Sequence, residues 1–204
     1  MLLRMAFLVA LACSFTACGR KLPPYQKPIA RANTQHVRTT AYTHSEDDHL
    51  VHGRKTCMGT PLRCGVVNSA AADWSRWPYG TVFRIQETGE LYEVDDIGWA
   101  LSGVNTLDLY KPSKAAMNKW GARMVNIEVL KWGEDRDSLK VLSKRTKHKH
   151  VKRMVVDLEK RIARGARNPE PIAVAAVSTE TAPTAAVSTP VTTGGLRRRD
   201  PASL

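Results

Sequence analysis

Thr106-Leu107-Asp108-Leu109-Tyr110 is a short run of β-forming side chains around a single acid. Successive side chains of a strand leave opposite faces, so if Leu107 and Leu109 enter a core, Asp108 points into water or a polar pocket. The run therefore predicts a strand with one structural and one functional face. Working outward, residues 37–43, 66–71, 81–86, 90–95 and 124–131 are also strand-like, which makes six short strands in all. In the last, Val125, Ile127 and Val129 alternate with Asn126, Glu128 and Leu130, the period-two pattern of a half-buried strand. Between the last two strands Ser113 is placed to cap a short helix that Gly121 ends. Ala116, Met117 and Trp120 fall at helical spacing on it and would cover one side of the sheet, with Trp120 as core.

These segments lie within residues 35–133, enough for one compact core and too little for two. The flanks differ in composition. The formal charge is +12, from 31 Lys and Arg against 19 Asp and Glu, yet residues 136–167 alone hold 12 basic residues against three acids. Most of the excess thus belongs to an extension, residues 134–167, so the basicity is read as an appendage rather than a groove that binds nucleic acid. From Asp137 to Arg164 the stripe Val151, Met154, Val155, Leu158 and Ile162 predicts a basic amphipathic helix. It either lies on an anionic membrane surface or packs Val155 and Leu158 on the sheet. Residues 168–204 are rich in Ala, Thr, Val, Ser and Pro, carry no aromatic residue and are read as a disordered tail.

At the other end, residues 1–18 resemble an export signal. Arg4 precedes an apolar run over residues 5–11, far shorter than the roughly 20 residues of a membrane span. Phe15-Thr16-Ala17-Cys18 is similar to a lipoprotein processing box, which makes Cys18 the expected lipidation site. Ordinary cleavage and an uncleaved anchor are the alternatives. Residues 19–34, with Pro23, Pro24 and Pro28, are read as a linker from anchor to domain. The protein is accordingly expected in the periplasm, held to a membrane, most naturally the outer one. In that oxidising compartment Cys57 and Cys64 form an even pair suited to a disulfide, against the alternative of two unpaired thiols. Two cysteines alone cannot make a four-ligand zinc site.

Two more clusters invite attention. His44, His49 and His52, interspersed with Glu46, Asp47 and Asp48, have metal-ligand chemistry but no regular element to fix it, so a polar loop at the rim of a groove is preferred and no metal is assigned. Trp74, Trp77, Tyr79 and Trp99 flank the acids and are either sugar-stacking or core residues.

Read in order, Thr40-Ala41-Tyr42, Ala72-Asp73, Pro78-Tyr79-Gly80-Thr81, Asp96-Ile97-Gly98, Gly103 and Leu107-Asp108-Leu109-Tyr110 resemble the successive motifs of the three-aspartate (3D) domain. That domain is a six-stranded double-psi β-barrel found in membrane-bound lytic transglycosylase A and in stand-alone envelope proteins, and is related to the rare-lipoprotein-A barrels. The resemblance spans residues 37–132, with two departures: the interval from Asp96 to Asp108 is one residue longer than usual, and Trp99 stands where a small residue is commoner.

The resemblance implies a peptidoglycan lytic transglycosylase that cleaves the bond between N-acetylmuramic acid and N-acetylglucosamine. Asp108 is then the catalytic acid, Asp96 and Asp73 complete the cluster, and Thr40, Tyr42, Trp99 and Tyr110 are substrate-binding. One acid suffices, because the sugar's own C6 hydroxyl replaces water as nucleophile. Asp108 must then hold a proton well above the usual aspartate pKa of about 3.9, and a neighbouring carboxylate such as Asp96 would raise it. The implied protein is a monomer without cofactor, metal or nucleic acid, acting on glycan strands. The competing reading is a barrel that binds glycan without cleaving it.

Overall fold

The computed structural model describes residues 21–46 and 53–170. Cys18, the signal segment, Asp47, Asp48, His49, His52 and residues 171–204 fall outside the described residues. Strand β1 (Thr34–Tyr42) starts three residues before the β-rich run of the sequence, because Gln35, Val37 and Thr39 already alternate inward there. It is followed by β2 (Val67–Ala71), β3 (Val82–Ile85), β4 (Leu91–Asp96), β5 (Thr106–Tyr110) and β6 (Arg123–Lys131). The six close into a barrel in the order β1-β5-β2-β4-β3-β6, which leaves no edge to cover. The sheet is mixed, with β1/β5 and β2/β4 parallel and the remaining pairs antiparallel.

Inside the barrel Phe83, Ile85, Tyr92, Val94, Leu107, Leu109, Ile127 and Val129 are fully buried. Each contributes roughly 1.5–3 kcal/mol by leaving water. Between β5 and β6 runs helix α1 (Lys114–Trp120), capped by the Ser113 hydroxyl accepting from the Ala116 amide and ended by Gly121 at φ 63°. Trp120 is buried as expected, and its Nε1 donates to Thr39 Oγ1 at 3.2 Å.

Where one helix was expected from 137 to 164 there are two, α2 (Asp135–Leu142) and α3 (Lys149–Ala163). The polar stretch between them offers no apolar stripe to pack, and the chain turns through the 3-10 segment Ser143–Arg145. Val151, Met154, Val155 and Leu158 of α3 are buried in the same core as the barrel residues, together with Leu142 of α2. The apolar stripe is thus consumed within the molecule, and the membrane-surface reading loses the face it required. Gly133 makes the junction possible: a Cβ there would stand 2.0 Å from the Tyr79 carbonyl oxygen.

The presumed linker is corrected in the same way. Residues 21–33 form a strap on the barrel, its backbone carbonyls taken up by arginines and amides. Arg153 donates to the Pro23 carbonyl, Arg76 to that of Gln26, and the Gln26 amide to Gly103. Arg31 donates to the carbonyls of Ser75 and Arg76 and to Asp135 at 2.7 Å, and Asp135 is also paired with Arg161 at 2.9 Å. Prolines keep the strap out of sheet and helix, which leaves its carbonyls free for these donors.

Candidate active site

Asp108 occupies the middle of β5 with Leu107 and Leu109 buried in the barrel, so its carboxyl leaves from the outer face. On one side its register partner is Thr40 of β1, on the other Ala71 of β2, and Ala71 is in turn paired with Asp96 of β4. Thr40, Asp108, Ala71 and Asp96 thus form one row across four strands. With neighbouring strands about 4.8 Å apart, the two acids sit on backbones roughly 10 Å apart with only a methyl group between them.

Asp96 reaches that row through a bulge. Ala70 pairs with Val94 but Ala71 with Asp96, so Asp95 is the extra residue. Without it, Asp96 would alternate with Tyr92 and Val94 into the barrel; the bulge re-aims it outward. Asp95 itself pairs with Arg63 at 2.8 Å and accepts from Ser69 at 2.7 Å.

The row floors a cleft of about 1330 Å³. A cavity for a small molecule commonly holds 300–1,000 Å³, so this one is wide enough for a section of a polymer. Thr40, Tyr42, Asp96, Trp99 and Asp108 all line it. The Thr40 hydroxyl donates to Asp108 at 2.6 Å. The Tyr42 hydroxyl donates to Asp96 at 3.2 Å, and the amides of Cys57 and Ile97 donate to the other oxygen of Asp96 at 2.7 and 2.9 Å. Trp99 opens the 3-10 turn Trp99–Leu101, half-buried at the wall.

The Asp108 carboxyl is pushed up to about 6, first by burial against the cleft wall, then by the negative charges of Glu46 and Asp96. The Thr40 hydroxyl and the Arg38 charge act in the opposite direction without cancelling it. Burial and the Asp96 charge also hold the Tyr42 phenol well above its ordinary value, so it stays a donor.

Two residues expected at the site are elsewhere. Asp73 is fully buried and away from the cleft, accepting from the Ser75 amide at 2.8 Å, the Ser75 hydroxyl at 2.6 Å and the Gly103 amide at 2.6 Å. Tyr110 shares the outer face of β5 with Asp108 but is sealed in a small cluster with Tyr42, Leu62 and Leu101, and its hydroxyl meets His44 Nδ1 at 2.8 Å. The segment carrying Leu62 folds over it, so it does not reach the cleft.

Of the other aromatic candidates, Trp74 and Trp77 are buried core residues, with Nε1 atoms donating to the Asp96 carbonyl and to Gln35. Tyr79 packs on Trp74 at 5.1 Å. The expected disulfide is also corrected, since Cys57 and Cys64 are both free thiols. Cys57 is packed against the core with its sulfur toward the Asp95 carbonyl, whereas Cys64 is exposed.

Two features of the cleft were not foreseen. Glu46, in the loop read as the polar rim of a groove, does line the cleft, and what that reading lacks is that it is the foremost charge raising Asp108. The signal was Thr43-x-x-Glu46: the Thr43 amide donates to the Glu46 carboxylate at 2.9 Å and the Glu46 amide to the Thr43 carbonyl, locking the acid to the end of β1. The other is the basic extension. Arg145, Lys147, His148, Lys149 and His150 line the cleft with the acids, so the basicity read as an appendage forms a wall of the groove.

The fold and cleft together define a closed six-stranded mixed barrel with an outward-facing acid row. In comparisons with known proteins, no family model and no curated protein matches the chain.

Proposed function

We propose that this protein is a lytic transglycosylase of the three-aspartate, double-psi barrel kind, exported, lipid-anchored through Cys18 and acting on peptidoglycan glycan strands. The observation that carries the reading is Asp108, a carboxyl at the floor of a polymer-sized cleft with its pKa raised to about 6. It holds a proton far better near neutrality than an ordinary aspartate, as a general acid requires.

In this reading the glycosidic oxygen approaches Asp108 and takes its proton while the C6 hydroxyl of the muramyl sugar closes on its own anomeric carbon. Asp108, now ionised, removes the hydroxyl proton, which restores the acid and leaves a 1,6-anhydro end. Thr40 holds the carboxyl in position throughout. Tyr42 and Asp96 shape the floor beside it, and Trp99 presents an indole for a sugar face. Asp73 has a structural part, tying the loop at Ser75 to Gly103.

The measurement that tests this is release of soluble anhydromuropeptides from purified sacculi. The wild-type chain should produce them and Asp108→Asn should not, while binding the sacculi equally; equal yields would remove Asp108 from the chemistry. A second reading, a glycan-binding barrel without turnover, draws on the floor acids already serving as hydrogen-bond acceptors, Asp108 from the Thr40 hydroxyl and Asp96 from three donors, a part they could equally play toward sugar hydroxyls. Binding by the wild type without any product would establish it.

A further inference from the structure

The cleft has two electrically opposite sides. Its floor carries Asp108, Asp96 and Glu46; its wall carries Arg145, Lys147 and Lys149, from the turn after α2 and the start of α3. The wall is held in place. Arg145 donates to the Cys57 carbonyl at 2.7 Å, and the Cys57 amide donates to Asp96, so floor and wall are linked through one residue.

The two lysines are exposed and make no ion pair with any described residue. On Asp108 itself the leading charge effects come from Glu46, Asp96 and Arg38, not from these lysines. Unpaired cations lining a cleft beside a proton donor act on whatever occupies the cleft, by attracting negative charge on it. A neutral sugar backbone gives them nothing to pair with.

We propose that the basic wall formed by Arg145, Lys147 and Lys149 recognises the carboxylates of the stem peptides, so that the preferred ligand is a glycan strand bearing acidic peptides. This rests on the glycan-strand reading above and narrows it. The floor handles the sugar, and the wall reads the side branches. The basic segment that gives the chain most of its net charge is then a specificity element of the groove.

Cosedimentation with purified sacculi tests the proposal, using the full chain carrying Asp108→Asn so that nothing is digested. One batch of sacculi is left native; in the other, carboxylates are converted to neutral methylamides with carbodiimide and methylamine. Native sacculi should be bound about fivefold more tightly, and Lys147→Gln/Lys149→Gln should abolish that preference while leaving affinity for methylamidated sacculi unchanged, as suits two exposed charge pairs. Both lysines are exposed, so the double variant keeps the fold, and an unchanged melting curve verifies this.

Equal binding to the two batches would overturn the proposal, as would a double variant that keeps the preference. So would tighter capture of a mixed oligonucleotide than of native sacculi, which would make the wall a nucleic-acid surface. Product assays with the wild type keep the two claims apart. Anhydromuropeptides without a charge preference would overturn the wall's role alone; a charge preference without product would support the wall and overturn the transglycosylase reading.

Discussion

Asp73 and Asp108 are the same residue type, both buried enough for their carboxyl pKa to be raised, and they sit in opposite circumstances. Asp73 is sealed among three donors with the Arg76 guanidinium nearby at 3.7 Å, and nothing outside the protein can reach it. Asp108 has one hydroxyl donor, two negative neighbours and an open cleft in front of it. The difference teaches that a displaced pKa does not by itself mark a working acid. What separates the two is whether the carboxyl's hydrogen-bonding capacity is already used.

The comparison breaks most decisively on activity. Asp108→Asn should lower anhydromuropeptide release by about 10²–10⁴-fold, the usual contribution of a positioned general acid. Asp73→Ala should instead lower stability by about 3 kcal/mol, since three donors are left facing a void, and its activity should track the folded fraction; chemical denaturation with parallel assays separates the two.

Stability sharpens the contrast further. The folded pKa of Asp108, about 6, lies above the unfolded value of about 3.9, so the folded state holds the proton more tightly between them. Stability is therefore lost as pH rises from 4 through 6, and above pH 6 the ionised carboxyl burdens the fold in full. Asp108→Asn, which still accepts from Thr40, should gain about 2–3 kcal/mol at pH 8 and little at pH 4, measured by urea melts at both. A loss at pH 8 would mean that the site had been built for structure.

The smallest effects concern the neighbours. Glu46→Gln removes the foremost negative charge, so the alkaline limb of the activity profile should move to lower pH with about a twofold loss at pH 7. Thr40→Val removes a donor that favours the ionised form, so the same limb should move to higher pH, by a full pH–rate profile. Movement in the reverse directions would contradict the electrostatics of the row.

The six strands and the outward aim of Asp108 were legible because alternation is a local property: Leu107 and Leu109 declare the core side, and Asp108 has the other. The capped helix at Ser113 was legible for the same reason. Asp96 was named on a family pattern, but its route to the row is a bulge at Asp95, which no side-chain periodicity announces. Tyr110 has the right strand face and is wrong for a contact residue because a distant loop bearing Leu62 covers it.

The flanks misled through composition. Prolines made residues 21–33 look like a tether, whereas arginines up to 130 positions away take up the strap's carbonyls. The charge of residues 136–167 looked detached because the sequence does not show that the buried side of α3 docks on the barrel core.

The strap has a consequence for reach. Leu22 lies on the lip of the cleft, and four residue-to-residue steps separate it from Cys18, at most about 14 Å of extended chain. A lipid on that cysteine would hold the lip against the bilayer like a plane iron set close to its sole. The barrel would then work only on the layer of the mesh nearest that membrane, and strands deeper in the mesh would pass beyond it untouched.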